Sequence, residues 1–181
     1  MTAAFSSPDT PSLLPLLAAQ QRRVLGILDG LDDTSLRRAV LPSGWSCLGM
    51  VQHLTLMTRF WTADVMTGTL SDYPDDEFRV DSDRTGADVL DAYAQETAAA
   101  PARVGGLALD APPAWWPDGL FGGWRLDNLF EVLQHVLVET VCHAGHLDAA
   151  RELLDGRTWD YPRGRLTHPR PVSHSQPVLS G

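Results

Sequence analysis

The sequence predicts an all-α protein whose main body is a four-helix bundle. Apolar residues recur at helical spacing in four separate segments, and no segment shows the alternation typical of a strand. Long connections at residues 70–83 and 105–123 would allow crossover links between helices that do not run simply up and down. The chain of 181 residues is 44% hydrophobic, enough for one domain with a sizeable core.

The first two helices are predicted at residues 12–31 and 46–67. Leucine and valine recur in the first with a period near that of an α-helix. The second follows a turn at residues 42–45, carries a stripe of large apolar side chains and ends at Gly68.

The third helix is predicted at residues 85–104, where Thr85 and Asp88 have the spacing of a capping box. The fourth and clearest begins at Asp127 or Asn128 and ends near Leu154, before Gly156. We therefore expect one domain at residues 11–156. A polar, flexible arm would precede it at residues 1–10, and an extended tail rich in proline, arginine and serine would follow at 157–181.

Composition excludes several classes of function. The net charge of −9 argues against a nucleic-acid partner, because phosphate binding requires clustered cations. No apolar run reaches membrane-spanning length and no secretory signal is visible, so we expect a cytoplasmic protein without a membrane partner. Every one of the 14 basic residues is arginine, a bias typical of GC-rich coding sequences that points to an actinobacterial source. Cys47 and Cys142 form neither a disulfide framework nor a metal knuckle.

The fourth predicted helix carries a row of side chains that bind metals or protons. At about 100° per residue, His135, Glu139, His143 and His146 share one narrow helical face. The second predicted helix adds His53 within an apolar pattern. A bundle that joins these helices could hold a cation through three protein ligands and leave positions open for water or substrate. Mixed nitrogen and oxygen ligands suit Zn²⁺, and also Ni²⁺, Mn²⁺ or Fe²⁺.

Spacing alone does not choose the ligands. His135 with Glu139 is spaced as well as Glu139 with His143, and His143 with His146 is also compatible. His53 taken alone could be a hydrogen-bonded core histidine. Together, however, these groups would cost several kcal/mol if buried without partners, which favours a shared site.

Two segments resemble a known superfamily: PSGWSCLGMVQHLTLMTRFW at residues 42–61 and HVLVETVCHAGHLDAARELLDG at residues 135–156. They are similar to the DinB-like superfamily, and within it to the actinobacterial branch of mycothiol-dependent enzymes, which includes maleylpyruvate isomerase. Many members use three histidines, whereas Glu139 here matches the His, Glu, His set of the mycothiol branch. The resemblance thus implies His53, Glu139 and His143 as ligands, in a DinB-like four-helix bundle with long crossover loops.

The resemblance also implies a function. A divalent metal would activate a thiol, with mycothiol as co-substrate, for an S-transferase or isomerase reaction on a small electrophile. We expect His135 and His146 to be candidates for proton transfer and Trp45 and Trp124 to be candidates for substrate contact. The loops at 70–83 and 105–123 are natural candidates to shape the pocket.

Three other expectations remain open at the level of sequence. The same site could hydrolyse a substrate with bound water in place of the thiol. Alternatively, the protein could be a non-catalytic stress-response or binding protein that a metal only stabilises. A homodimer is compatible with the sequence but not specified by it.

Overall fold

The computed structural model describes residues 10–168, with side chains from residue 13 onward, and this part of the chain is mainly helical. Almost all of the predicted N-terminal arm, and residues 169–181 of the predicted tail, lie outside the described residues. Within residues 10–168, no helix is long and apolar enough to cross a membrane. The helices are α1 (Thr10–Leu28), α2 (Asp33–Arg37), α3 (Cys47–Arg59), α4 (Gly86–Val104) and α5 (Leu129–Asp155).

Side-chain caps start the helices that carry the site. Ser46 accepts a hydrogen bond from the backbone N–H of Gly49 at the start of α3, and Asn128 accepts one from Glu131 at the start of α5. The predicted capping box at the start of α4 is confirmed. Gly156 ends α5 with a positive φ of 75°, which glycine adopts without steric cost.

The end of the second predicted helix differs from a regular α-helix. After Arg59 the chain continues as a π-helix, Phe60–Val65, before the helical span ends near Thr67. A π-helix changes the direction of the side chains relative to a 3.6-residue repeat, which is the repeat that the prediction assumed. This turn sets the positions of Phe60 and Trp61 beside the site described below.

The four long helices enclose the core. Helix α1 packs against α5, α3 packs against α4, α3 also contacts α5, and α1 contacts α4. Buried apolar side chains from these helices fill the space between them, among them Val24, Ile27, Leu48, Val51, Leu54, Val89, Leu133, Val136 and Leu147. The contact between α3 and α5 matters most for function, because these helices carry the candidate ligands.

Residues 158–167 form a hairpin where the prediction had an extended tail. Strand β1 (Thr158–Asp160) pairs antiparallel with β2 (Arg165–Thr167). Trp159 packs against Gly26 of α1, where an added Cβ would overlap the indole ring. The backbone N–H of Trp159 donates a hydrogen bond of 2.8 Å to the carboxylate of Asp148. Strands of three residues are too short to show a periodic pattern, so the hairpin could not be predicted from the sequence.

A buried arginine ties α5 to the end of α1. The guanidinium of Arg151 is fully buried and donates hydrogen bonds of 2.8 Å to the carbonyl oxygens of Ile27 and Asp29. It also pairs with Asp155 at 2.8 Å. Carbonyls at the end of a helix lack partners within the helix, and Arg151 supplies them.

Candidate metal centre and adjoining cavities

Three side chains from two helices converge between α3 and α5. His53 comes from the middle of α3, while Glu139 and His143 lie one turn apart on α5. One ligand atom from each residue lies within 4.8 Å of the other two, and Nε2 of His143 is 3.2 Å from Oε2 of Glu139. Ligands about 2.1 Å from one ion at tetrahedral angles lie roughly 3.4 Å apart. Small side-chain movements would therefore let all three reach one cation.

The surroundings of His53 fit a metal ligand. Both of its ring nitrogens are buried and have no hydrogen-bond partner among the described residues. Its Nδ1 lies 3.1 Å from Oε2 of Glu77, but the orientation does not make a hydrogen bond. The ring stacks on Phe78 at 4.6 Å and meets the His143 ring edge-on at 4.9 Å. Because a buried polar group without a partner costs about 1–3 kcal/mol, a bound cation would relieve a real penalty.

The protonation of His143 also suits metal binding. Burial, followed by the proximity of His53, lowers the pKa of His143, while Glu139 acts in the opposite direction. The imidazole is therefore neutral at neutral pH, as a metal ligand must be. Two neutral nitrogens and one carboxylate oxygen form a donor set that several divalent metals accept.

His146 lies at the outer edge of this cluster. It is exposed, and its Nδ1 is 3.2 Å from Nδ1 of His143. The ring of Trp45 lies on its other side, with centroids 6.2 Å apart. His146 thus connects a candidate ligand to solvent.

His135 lies two helical turns from His143, against a different set of neighbours. Its ring meets the edge of Trp61 at 4.7 Å and lies 5.3 Å from the ring of Trp124. Burial lowers the pKa of His135, and Glu139 partly offsets this effect. The imidazole of His135 is therefore neutral at neutral pH. Its aromatic neighbours Trp61 and Trp124 partly separate it from water.

A cavity of about 500 Å³ opens beside the candidate ligands, and we call it the aromatic cavity. It is lined by His53 and Glu139 from the cluster and by His135. Both loops that the sequence analysis singled out contribute to it, as predicted, whereas Trp124 covers His135 without lining the cavity itself. Its other lining residues are Leu56, Met57, Phe60, Trp61, Tyr73, Pro74, Asp75, Glu77, Leu120 and Phe121.

A second concavity of about 540 Å³ lies near Trp45, and we call it the polar cleft. Phe78 lines this cleft and also stacks on His53, so the cleft begins next to the candidate ligands. Ser43, Asp76 and Arg79 supply groups that can bind hydroxyls or amides. The candidate ligands thus lie close to two sites of different chemistry.

Sequence reasoning missed several neighbours of the cluster. Phe78 and Glu77 contact His53 from the loop at 70–83, which we call the acidic loop. Nothing in their spacing relates them to a residue of α3. Phe60 and Trp61 were predicted as part of an apolar helix face, and they do belong to or pack against the core, but the sequence did not show that they also line the cavity. The loop at 105–123, which was a candidate to shape the pocket, does line the cavity through Leu120 and Phe121.

Comparison with known proteins identifies a family. The family model described as MST, mycothiol-S-transferase, matches residues 12–156. No curated protein and no solved structure has significant similarity to the chain. The matched region covers well over half of the chain and contains both helices that carry the candidate ligands. The resemblance seen in the sequence is confirmed: the chain belongs to the mycothiol-S-transferase family.

Proposed function

We propose that this protein is a metal-dependent transferase that joins the thiol of mycothiol to a small electrophile. In this proposal His53, Glu139 and His143 hold a divalent cation, with Zn²⁺ as the first choice and Ni²⁺, Mn²⁺ or Fe²⁺ compatible with the same donors. The observation that carries it is the half-buried His53 beside the Glu139–His143 pair, because its buried ring nitrogens have no hydrogen-bond partner in the part of the chain that the structure describes. We also propose that α1, α3, α4 and α5 form the DinB-like bundle.

The ligand set suits thiol activation. A divalent cation at the site would act as a Lewis acid that lowers the pKa of a thiol, which is ordinarily about 8.5. Two neutral imidazoles and one carboxylate offset only one of two positive charges. His53, Glu139 and His143 therefore leave the site positive enough to favour a thiolate.

We assign proton transfer to the two remaining histidines, His135 and His146. His146 is exposed and adjacent to His143, so it can accept the thiol proton and pass it to water. His135 lines the aromatic cavity, where it can donate a proton to a leaving group. The new bond joins the mycothiol sulfur to the electrophilic carbon, and the leaving group departs with its bonding electrons.

The two concavities would divide the substrates between them. The polar cleft, with Trp45 as an aromatic platform, suits the sugar-like body of mycothiol. The aromatic cavity would take the electrophile, with Trp124 shielding His135 from solvent.

A matched pair of variants tests the proposal. Protein purified without chelators is assayed for bound metal and for conjugation of mycothiol to an electrophile. Glu139→Gln should keep its circular dichroism spectrum and lose both metal and conjugation. The control Glu152→Gln changes an exposed carboxylate on the same helix and should alter neither.

Three results would contradict the proposal in different ways. Retained metal and turnover in Glu139→Gln would remove this carboxylate from the site. Loss of folding in Glu139→Gln that added metal does not restore would favour a metal with a purely structural role. Turnover that does not depend on mycothiol would favour hydrolysis.

A further inference from the structure

Aromatic rings from three separate parts of the chain form one wall of the aromatic cavity. Trp61 of the π-helix stacks on Phe121 at 5.6 Å with an interplanar angle of 17°. Phe60 meets Trp61 edge-on at 5.1 Å, and Tyr73 of the acidic loop lies 6.0 Å from Phe60. Such an arrangement offers ring faces and edges to a planar guest. The shape and chemistry of the wall favour an aromatic ligand.

The charges that line this cavity are all negative. Asp75, Glu77 and Glu139 contribute carboxylates, and no arginine from residues 13–168 is among its lining residues. Nearby arginines are engaged elsewhere: Arg59 pairs with Glu96 at 2.9 Å, and Arg125 lies over a tryptophan ring at 5.1 Å. A divalent cation held by His53, Glu139 and His143 would leave one positive charge at the ligands, whereas Asp75 and Glu77 would keep the rest of the lining negative.

These two features together identify a class of substrate. We propose that the aromatic cavity selects an aromatic electrophile that carries no negative charge. This inference rests on the proposed transferase function and names its second substrate class. An anionic group carried by the ring would lose its hydration and, away from the metal position, would meet the carboxylates of Asp75 and Glu77 without a matching cation, which weakens binding. A volume of about 500 Å³ lies within the range of small-molecule sites.

A simple aromatic substitution illustrates the reaction. With 1-chloro-2,4-dinitrobenzene, the mycothiol sulfur bonds to the ring carbon that carries chlorine. The carbon–chlorine bond then breaks, chloride leaves with the bonding electrons, and the thiol proton passes to His146 and water. No oxidant or reductant is needed.

A binding experiment tests the inference without metal or thiol. The probes are 3,5-dinitrobenzamide and 3,5-dinitrobenzoate, which differ in charge and have nearly the same shape. Nitroaromatic rings quench indole fluorescence, and Trp61 lines the cavity. We expect the amide to bind at least about tenfold more tightly than the carboxylate.

Variants connect this preference to named side chains. Phe121→Ala removes a ring from the wall and should weaken amide binding about tenfold or more. Asp75→Arg should narrow the preference between the two probes, because it reverses a charge at the cavity. Asp72→Arg makes the same change in the same loop at an exposed residue that does not line the cavity, and it should leave the preference unchanged.

The outcomes separate this inference from the proposed function. Equal binding of the two probes, tighter binding of the carboxylate, or equal effects of Asp75→Arg and Asp72→Arg would overturn it. Conjugation of mycothiol without discrimination between matched neutral and anionic chloronitrobenzenes would contradict this inference alone. Discrimination in binding with no conjugation under any metal would contradict the transferase function and leave the cavity's preference supported.

Discussion

Replacing His53 by leucine separates a metal ligand from an ordinary core histidine. The side chain of His53 is only 13% exposed, and its ring nitrogens have no hydrogen-bond partner among the described residues. Leucine removes a desolvation penalty of about 1–3 kcal/mol. It also loses ring stacking on Phe78, worth about 0.5–1.5 kcal/mol. Metal-free His53→Leu should therefore be as stable as the wild type, or more stable by up to about 2 kcal/mol.

Metal should reverse this ranking. At a free metal concentration of about 100 times Kd, the wild type should gain about 2.7 kcal/mol of unfolding free energy. If the loss of one of three ligands raises Kd a hundredfold, the unfolding free energy of the variant would rise by only about 0.4 kcal/mol at the same metal concentration. Urea unfolding with chelator and with Zn²⁺ measures both numbers. His168→Leu, an exposed histidine remote in sequence from both helices, is the matched control.

Two results would refute the reasoning about His53. One is a metal-free variant that is less stable than the wild type by more than about 1 kcal/mol, because this would mean that the imidazole is satisfied in the core. The other is equal stabilisation of variant and wild type by Zn²⁺, because this would place the metal elsewhere.

Three further predictions follow from other contacts. Arg151→Met leaves the carbonyl of Ile27 without its donor and should lower the unfolding free energy by about 2–4 kcal/mol in urea, with metal affinity unchanged. Gly49→Ala places a Cβ against the carbonyl of Phe78 and should lower the unfolding free energy by about 1–3 kcal/mol. Metal titration of this variant should show weaker binding, because the loop whose Phe78 stacks on His53 is displaced. Because the pKa of His135 is lowered in the folded protein, the unfolded chain binds more protons, and the stability of the metal-free protein should fall as the pH drops below about 6.5. His135→Gln should reduce this loss of unfolding free energy between pH 7 and pH 5, as measured by urea unfolding.

Each of these predictions has an opposite result. A stable Arg151→Met would mean that water replaces the guanidinium at the end of α1. Unchanged metal affinity in Gly49→Ala would separate the Phe78 loop from the ligands. An identical pH slope in His135→Gln would assign the proton uptake to other groups.

Much of the helical architecture could be predicted because it depends on local patterns. The capping box of Thr85 and Asp88, the start of α5 at Asn128 and its end at Gly156 follow from residue types at fixed offsets. The π-helix after Arg59 has no such pattern, because tertiary packing selects it over a regular turn. The hairpin that carries Trp159 depends on contact with a distant glycine of α1.

The candidate site divides in the same way. Glu139 and His143 could be paired from their spacing on one helix, since residues four apart share a face. Their meeting with His53 depends on how α3 packs against α5; the residue types favoured a shared site, and the resemblance chose the ligands among the alternatives. Glu77 and Phe78 come from an irregular loop, whose path no periodicity describes.

Metal stoichiometry in two single ligand variants, one on each helix, decides whether α3 and α5 share one cation. Protein dialysed against excess Zn²⁺ and then against metal-free buffer is analysed for bound metal per chain. We expect about one bound ion per chain in the wild type and in His168→Leu. Both His53→Leu and Glu139→Gln should lose most of their bound metal. Full metal content in His53→Leu, with loss only in Glu139→Gln, would contradict a cation shared between the two helices.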